Sequence, residues 1–225
     1  MKIRTLGKSL LLCTGLLISA CSTGGGGGPE AGLVLTESDF PSGEKKMVIP
    51  DDQVRDRMND VLSVQAIDSV TPAECQNRVE DMTDQASKVT ADAGFAAASG
   101  GTPPSVYFEA VSDAKVDLAV FTTAVEKCPN MQVASTSPDR QRLSSKVTLE
   151  PRKLPAGLDG VDAVAYRTTT VSSVPGFGAF TIKAYLGWAR VENKTVAIRA
   201  AVQTANFDEA AAEKFFVAAV DKVRK

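Results

Sequence analysis

Several groups of residues have types and spacings that do chemistry in other proteins, and each also has a plainer use. Asp51-Asp52 follows Pro50. Adjacent carboxylates can begin a metal site, but at a predicted helix start they cap the helix and stabilise its dipole. Asp159 and Asp162 stand in Gly157-Leu158-Asp159-Gly160-Val161-Asp162. A calcium loop needs further oxygen ligands that this stretch lacks, so a turn into a strand is expected there. Gly176-Phe177-Gly178 comes after Pro175. A phosphate cradle joins a strand to a helix, whereas this stretch joins two predicted strands and reads as a loop. Phe177 at its tip is an exposed aromatic, expected either to meet a partner or to anchor its own loop. The sequence contains no His. That removes Ser-His, Cys-His and His-metal mechanisms together. Serines are abundant without a Gly-x-Ser-x-Gly motif, and nothing singles out a Ser-Lys dyad. No acidic pair is marked for two-carboxylate hydrolysis. The expectation is a protein that is not an enzyme, with no catalytic residue, no metal ligand and no cofactor.

The four cysteines carry more information. Lys2, Arg4 and Lys8 precede a short apolar run, Leu10-Leu11-Leu12 through Leu16-Leu17-Ile18. The run is too short to span a bilayer and has the flanks of a secretion signal. It ends Ile18-Ser19-Ala20-Cys21, followed by Ser22-Thr23 and Gly24 to Gly28. That order resembles the bacterial lipobox, in which the Cys is diacylated on sulfur and becomes the mature N-terminus; the alternative is an ordinary cleaved signal with Cys21 incidental. On the lipobox reading, residues 1–20 are the signal peptide, 21–32 the lipidated Cys and a Gly-rich tether, and 33–225 one extracytoplasmic domain. Each buried CH₂ contributes about 0.8 kcal/mol, so two or three acyl chains hold a protein on a membrane where one would not. Cys13 leaves with the leader, so Cys75 and Cys128 remain. In an exported chain such a pair reads first as a disulfide, with two buried free thiols as the alternative.

Charge and composition agree with an anchor made of lipid. Lys+Arg is 25 and Asp+Glu 27, and removing the leader's three cations leaves 22 against 27. Neither an anionic bilayer surface nor a nucleic acid is attracted by that balance. Hydrophobic residues at 44% and charged ones at 23% are those of a globular domain.

The elements that must position these residues follow from periodicity. A first helix is predicted from Asp51, with Val54, Met58, Val61 and Leu62 on its apolar side. Thr71-Pro72-Ala73-Glu74 predicts a second helix start, with Thr as cap, Pro at N1 and Glu at N3. From there Cys75, Val79, Met82, Ala86 and Val89 form one stripe. Gly94 and Gly100-Gly101 with Pro103-Pro104 read as breaks. A strand is expected at Val106–Val111 and a helix from about Ala114 to Cys128, stopped by Pro129. Beyond it the period changes to two, with strands at Met131–Ala134, Lys146–Glu150, Val161–Thr170, Phe180–Val191 and Thr195–Gln203. Asn206 and Glu209 predict the cap of a last helix, whose Phe216, Ala219, Val220 and Val223 face the sheet. The fold class is α+β: an antiparallel sheet of about five or six strands packed on N-terminal helices and a C-terminal helix, with one disulfide.

Thr71-Pro72-Ala73-Glu74-Cys75, the helix ending Glu126-Lys127-Cys128, and the stretches Arg190–Val202 and Ala210–Val223 together resemble the extracellular sensor domains of mycobacterial receptor serine/threonine kinases and related actinobacterial lipoproteins. The resemblance implies an α+β, disulfide-stapled domain with a cleft for a generally unidentified ligand. The chain departs from it in offering one disulfide where the kinase-linked form is expected to have two, and in showing neither a transmembrane helix nor a kinase. The expected function is a lipid-anchored domain on the extracytoplasmic face of the cell membrane, sensor-like or ligand-binding. The alternative is an envelope protein that binds another protein or a wall component without a small ligand. For either, the expected contact surface is the outer face of the sheet: Lys183 and Tyr185 on the fourth of those strands, Arg167 on its neighbour, and Phe177 in the adjoining loop.

Overall fold

The computed structural model describes residues 30–41, 43–47, 67–102, 104–136, 142–174, 178–203 and 206–225. The expected signal peptide, Cys21, the predicted first helix at 51–62 and Phe177 lie outside the described residues. The stretch that remains is α+β, built on one antiparallel sheet. Its strands are β1 (Glu44–Lys46), β2 (Ile67–Thr71), β3 (Gly94–Gly100), β4 (Ser105–Ser112), β5 (Asn130–Thr136), β6 (Arg142–Arg152), β7 (Asp162–Val174), β8 (Gly178–Val191) and β9 (Lys194–Val202). They lie in the order β1-β3-β4-β9-β8-β7-β6-β5-β2, nine strands where five or six were expected.

The helices are α1 (Gln76–Ala91), α2 (Leu118–Lys127) and α3 (Glu209–Val223). All three start later than the sequence signals placed them. Thr71 closes β2, Pro72 is extended, and a 3-10 turn at Ala73–Cys75 precedes α1. Gln76 then accepts the Val70 N–H through Oε1 at 2.8 Å, tying the strand end to the helix start. Asp117 caps α2 by accepting from Ala119 N at 3.0 Å, while its own N–H donates to Gln85 of α1 at 3.0 Å. Asp208, rather than Asn206, caps α3 by accepting from Ala211 N at 3.0 Å.

The two faces of the sheet hold separate cores. On one, Ala86 and Val89 of α1 and Phe121 and Val125 of α2 meet Phe108, Tyr166, Leu186 and Trp188 of the sheet. On the other, Phe215, Phe216 and Ala219 of α3 meet Tyr107, Tyr185 and Ile198, and Leu35 and Phe40 of the N-terminal segment close one side. A strand covered on both faces need not alternate, which is why β3 (Gly-Phe-Ala-Ala-Ala-Ser-Gly) is a strand where two glycines read as breaks. Its Phe95 and Ala97 face α1, and its Ala96 and Ala98 face the N-terminal segment.

Gly187 sets how closely α3 sits on the sheet. A Cβ there would lie 2.7 Å from Cδ1 and Cε1 of the buried Phe216 ring. Gly187→Val is therefore expected to cost about 1–3 kcal/mol by overpacking. A lowered urea midpoint, together with loss of protection in α3, would show it; an unchanged midpoint would mean that α3 rides freely over β8.

The Cys75–Cys128 disulfide is present. It links the turn before α1 to the residue after α2, so both helices are held on the same face.

Candidate functional site

Between α1 and the sheet lies a cleft of about 370 Å³. That is within the range of sites for small ligands. Val79, Met82, Thr83 and Ala86 of α1 form one wall. The floor comes from alternate residues of the strands, and strand register decides which ones. Arg199 of β9 pairs with Leu186 of β8, and Leu186 pairs with Tyr166 of β7. One step along, Ala197 pairs with Trp188 and Trp188 with Val164. Arg199, Leu186, Tyr166 and Trp188 thus stand on one face as close neighbours, and all line the cleft.

Burial distinguishes an inner end from a mouth. At the inner end Phe121, Tyr166 and Trp188 are buried, with the Phe121 and Trp188 rings stacked at 4.3 Å. At the other end Ile67, Val133, Leu143, Phe180 and Ile182 are only partly covered. From Leu186 to Phe180 is six residues of β8, about 20 Å. Along the floor between them β7 presents Thr168, Thr170 and Ser172. The Ser172 hydroxyl pairs with that of Ser145 at 2.8 Å.

The inner end is polar within an apolar frame. Among the described residues that line the cleft, Arg199 is the one charged side chain. Its pKa is lowered by burial, partly offset by the neighbouring Tyr166. Burial pushes the Tyr166 hydroxyl up to about 12, with Trp188 and then Arg199 easing the rise. Tyr166 therefore keeps its proton at neutral pH and can donate it to a hydrogen bond. Trp188 Nε1 makes no hydrogen bond within ordinary geometry among the described residues, although the ring is 2% exposed. No cluster of His, Cys, Asp and Glu able to hold a metal occurs among the described residues, and no helix there is long and apolar enough to cross a membrane.

The sequence-derived contact surface is arranged otherwise than expected. Arg167 and Tyr185 are indeed direct cross-strand partners, and Lys183 pairs with Thr169 two residues further on. They lie on the face opposite the cleft, but α3 packs on that face, and Tyr185 is 0% exposed beneath Phe216. At Tyr185 the outer face expected to be half-solvated is covered, because the C-terminal helix takes the side away from α1 and α2, whereas Arg167 and Lys183 are only half-buried. Arg167 is engaged in a structural network: Nη2 donates to Glu150 Oε2 at 2.6 Å, and Nη1 reaches Glu209 Oε2 in the first turn of α3 at 3.3 Å. Arg152 completes it, 2.6 Å from Glu209. These pairs hold the start of α3 to β6 and β7, and the Arg167 hydrogen bond keeps the Glu150 carboxyl below its usual pKa.

The alternating apolar residues of β8 and those of β9 lie on opposite faces of the sheet. Phe180, Ile182, Leu186 and Trp188 of β8 line the cleft, whereas Val196, Ile198 and Ala200 of β9 face α3 or its side. Arg199 was missed for that reason. Its signal was available: from Thr195 to Val202 it is the only charged residue, at a position flanked by apolar ones on a central strand.

Comparison with known proteins adds little. No family model matches the chain, and no curated protein does. A crystal structure of an uncharacterised Mycobacterium smegmatis protein, described as an Rv0999 ortholog, is similar at 14% identity with a TM-score of 0.47, over 88% of this chain and 98% of that one.

Proposed function

We propose that the chain is a membrane-anchored extracytoplasmic lipoprotein whose folded domain binds a small ligand between α1 and the sheet. The observation that carries this reading is the cleft of about 370 Å³, whose walls are apolar and whose inner end brings together Arg199, Tyr166 and Trp188. Hydrophobic walls with a few placed polar groups are the ordinary composition of a ligand site. The likeness in layout to the sensor domains of mycobacterial receptor kinases belongs to the same reading, since a cleft is what those domains are expected to use. Cys21 supplies the anchor and the glycines after it a flexible tether.

Native mass spectrometry of protein purified from its own envelope tests the binding. The wild type should retain a small molecule, and Thr168→Phe, which fills the floor from a half-buried position, should lose it while melting within a few degrees of wild type. Protein that carries nothing, in both forms, would sink the reading. The anchor is tested separately. Cys21→Ala is expected to move the domain from the membrane fraction to the soluble one, and a variant that stays membrane-bound without acyl chains would show that another feature holds it.

A further inference from the structure

The two ends of the cleft differ in chemistry, and the difference selects a ligand. The mouth is formed by Ile67, Val133, Leu143, Phe180 and Ile182, with the hydroxyls of Ser135, Thr170 and Ser172 beside them and no charged side chain among the described residues. The inner end offers donors. Arg199 brings a guanidinium with its N–H donors and positive charge, and the buried Trp188 Nε1 adjoins the Tyr166 hydroxyl, which carries a proton of its own. No acidic side chain lines the cleft among the described residues. An end made of donors with one positive charge matches an acceptor-rich anion. A cation is repelled there, and a neutral ligand makes no use of the charge.

The space between the two ends matches an aliphatic chain. The cleft of about 370 Å³ has room for a small ligand, and it extends along about 20 Å of β8, with Val79 and Met82 of α1 on one side and Ile182 on the sheet. Met82 is unbranched and adaptable, which suits a chain of variable conformation. The Ser145 and Ser172 hydroxyls pair with each other, so this part of the floor makes little polar demand on what lies over it.

Resting on the binding reading above, we propose that the ligand is an anionic amphiphile. One carboxylate or phosphate head sits at Arg199, Tyr166 and Trp188, and a single aliphatic chain runs under α1 toward Phe180.

Trp188 is the only Trp in the chain, so its fluorescence reports directly on the inner end. The full chain carrying Cys21→Ala, which takes no acyl anchor and needs no detergent, is titrated with dodecanoate, monododecyl phosphate, dodecanol and dodecyltrimethylammonium, and with inorganic phosphate alone. Dodecanoate or monododecyl phosphate, or both, should saturate and shift the Trp188 emission. Their relative strength tells a fatty-acid source from a phosphate-ester one. Dodecanol should bind at least tenfold more weakly, and the cationic amphiphile and inorganic phosphate should give no saturation. Arg199→Met should weaken dodecanoate at least tenfold and leave dodecanol unchanged. Arg199→Lys, which keeps the charge, should recover part of the loss and serves if the Met variant does not fold. Equal binding of dodecanoate and dodecanol, both blocked by Thr168→Phe, would overturn the anionic head while the binding reading stood. Failure of every amphiphile to bind overturns the proposal. If the envelope-purified protein also carries no small molecule, the binding reading fails with it.

Discussion

Replacing Cys75 and Cys128 together by alanine is expected to lower the stability of the domain by about 4 kcal/mol. The bridge spans 53 residues of chain, and a cross-link over a loop of that length removes about this much conformational freedom from the unfolded chain on chain-entropy terms. Both sulfurs are buried, at 1% and 2% exposure, in the same core as Phe121, so alanine also leaves space that the core must close. The loss should not be evenly spread. Cys75 precedes α1, and α1 reaches the rest of the fold chiefly through α2, β4 and β2. Without the bridge α1 is expected to open before the sheet does, and the wall of the cleft opens with it. Equilibrium urea unfolding gives the magnitude and amide hydrogen exchange the place. A loss below about 1 kcal/mol, or exchange rising equally in α1 and in β8, would show that the bridge is incidental to how the wall is held.

The disulfide was legible in the sequence because the export reading left two cysteines, each at the end of an apolar helical stripe. So were the six strands β4 to β9 and the last helix, whose boundaries shifted by a few residues at most. β7, β8 and β9 show period two wherever one face meets water: at Phe180 to Lys183 the cleft side and the solvent side differ in kind. The strands that escaped notice are those without that contrast. β3 is buried on both faces for its first five residues and made of small side chains. β1 has three residues, Glu-Lys-Lys, and pairs only at the sheet edge, where charge blunts an open strand.

The site was harder to read, and the reason is the side on which α3 packs. Alternation says which residues share a face, but not which helix covers it. Tyr166 and Thr168 line the cleft, and Arg167 stands on the opposite face. Tyr185 shares the Arg167 face, as expected, yet that face is where Phe216 packs. One clue was present: from Ala184 to Ala189 no residue is charged, which is unusual for a strand with a wet face. Read with the apolar stripe of α3, it points to a sheet covered on both sides. The face under α1 is then the one that holds the cleft, with Arg199 as the residue that breaks the pattern.

Glu109 should make the domain lose stability as pH rises from about 5 to 8. It stands on the α3 side of β4, 0% exposed, where Oε2 accepts the Leu35 N–H at 2.8 Å and Oε1 has no partner among the described residues. Burial pushes its pKa up to about 8 from 4.5; the Leu35 hydrogen bond and then Lys222 and Lys46 oppose the rise, and Asp39 adds to it. The sign follows from proton counting. Between 4.5 and 8 the unfolded chain has given up this proton and the folded chain has kept it, so each step in pH favours unfolding. Below that window both forms are protonated, and above it both are ionised. Carboxyls with lowered values, Glu150 and Asp113 among them, act in the opposite sense, contributing stability that is lost as pH falls through their folded values. The wild type is thus expected to be most stable in mildly acid solution and to lose about 2–4 kcal/mol by pH 8. Glu109→Gln keeps the shape and an oxygen for Leu35 but cannot ionise. It should remove most of that slope and be more stable than wild type at pH 8. Urea midpoints at half-unit intervals from pH 4.5 to 8.5 decide it: a wild type that gains stability across the window, or a Gln variant with the wild-type slope, would mean that the carboxyl ionises in place and that the Leu35 segment tolerates its charge.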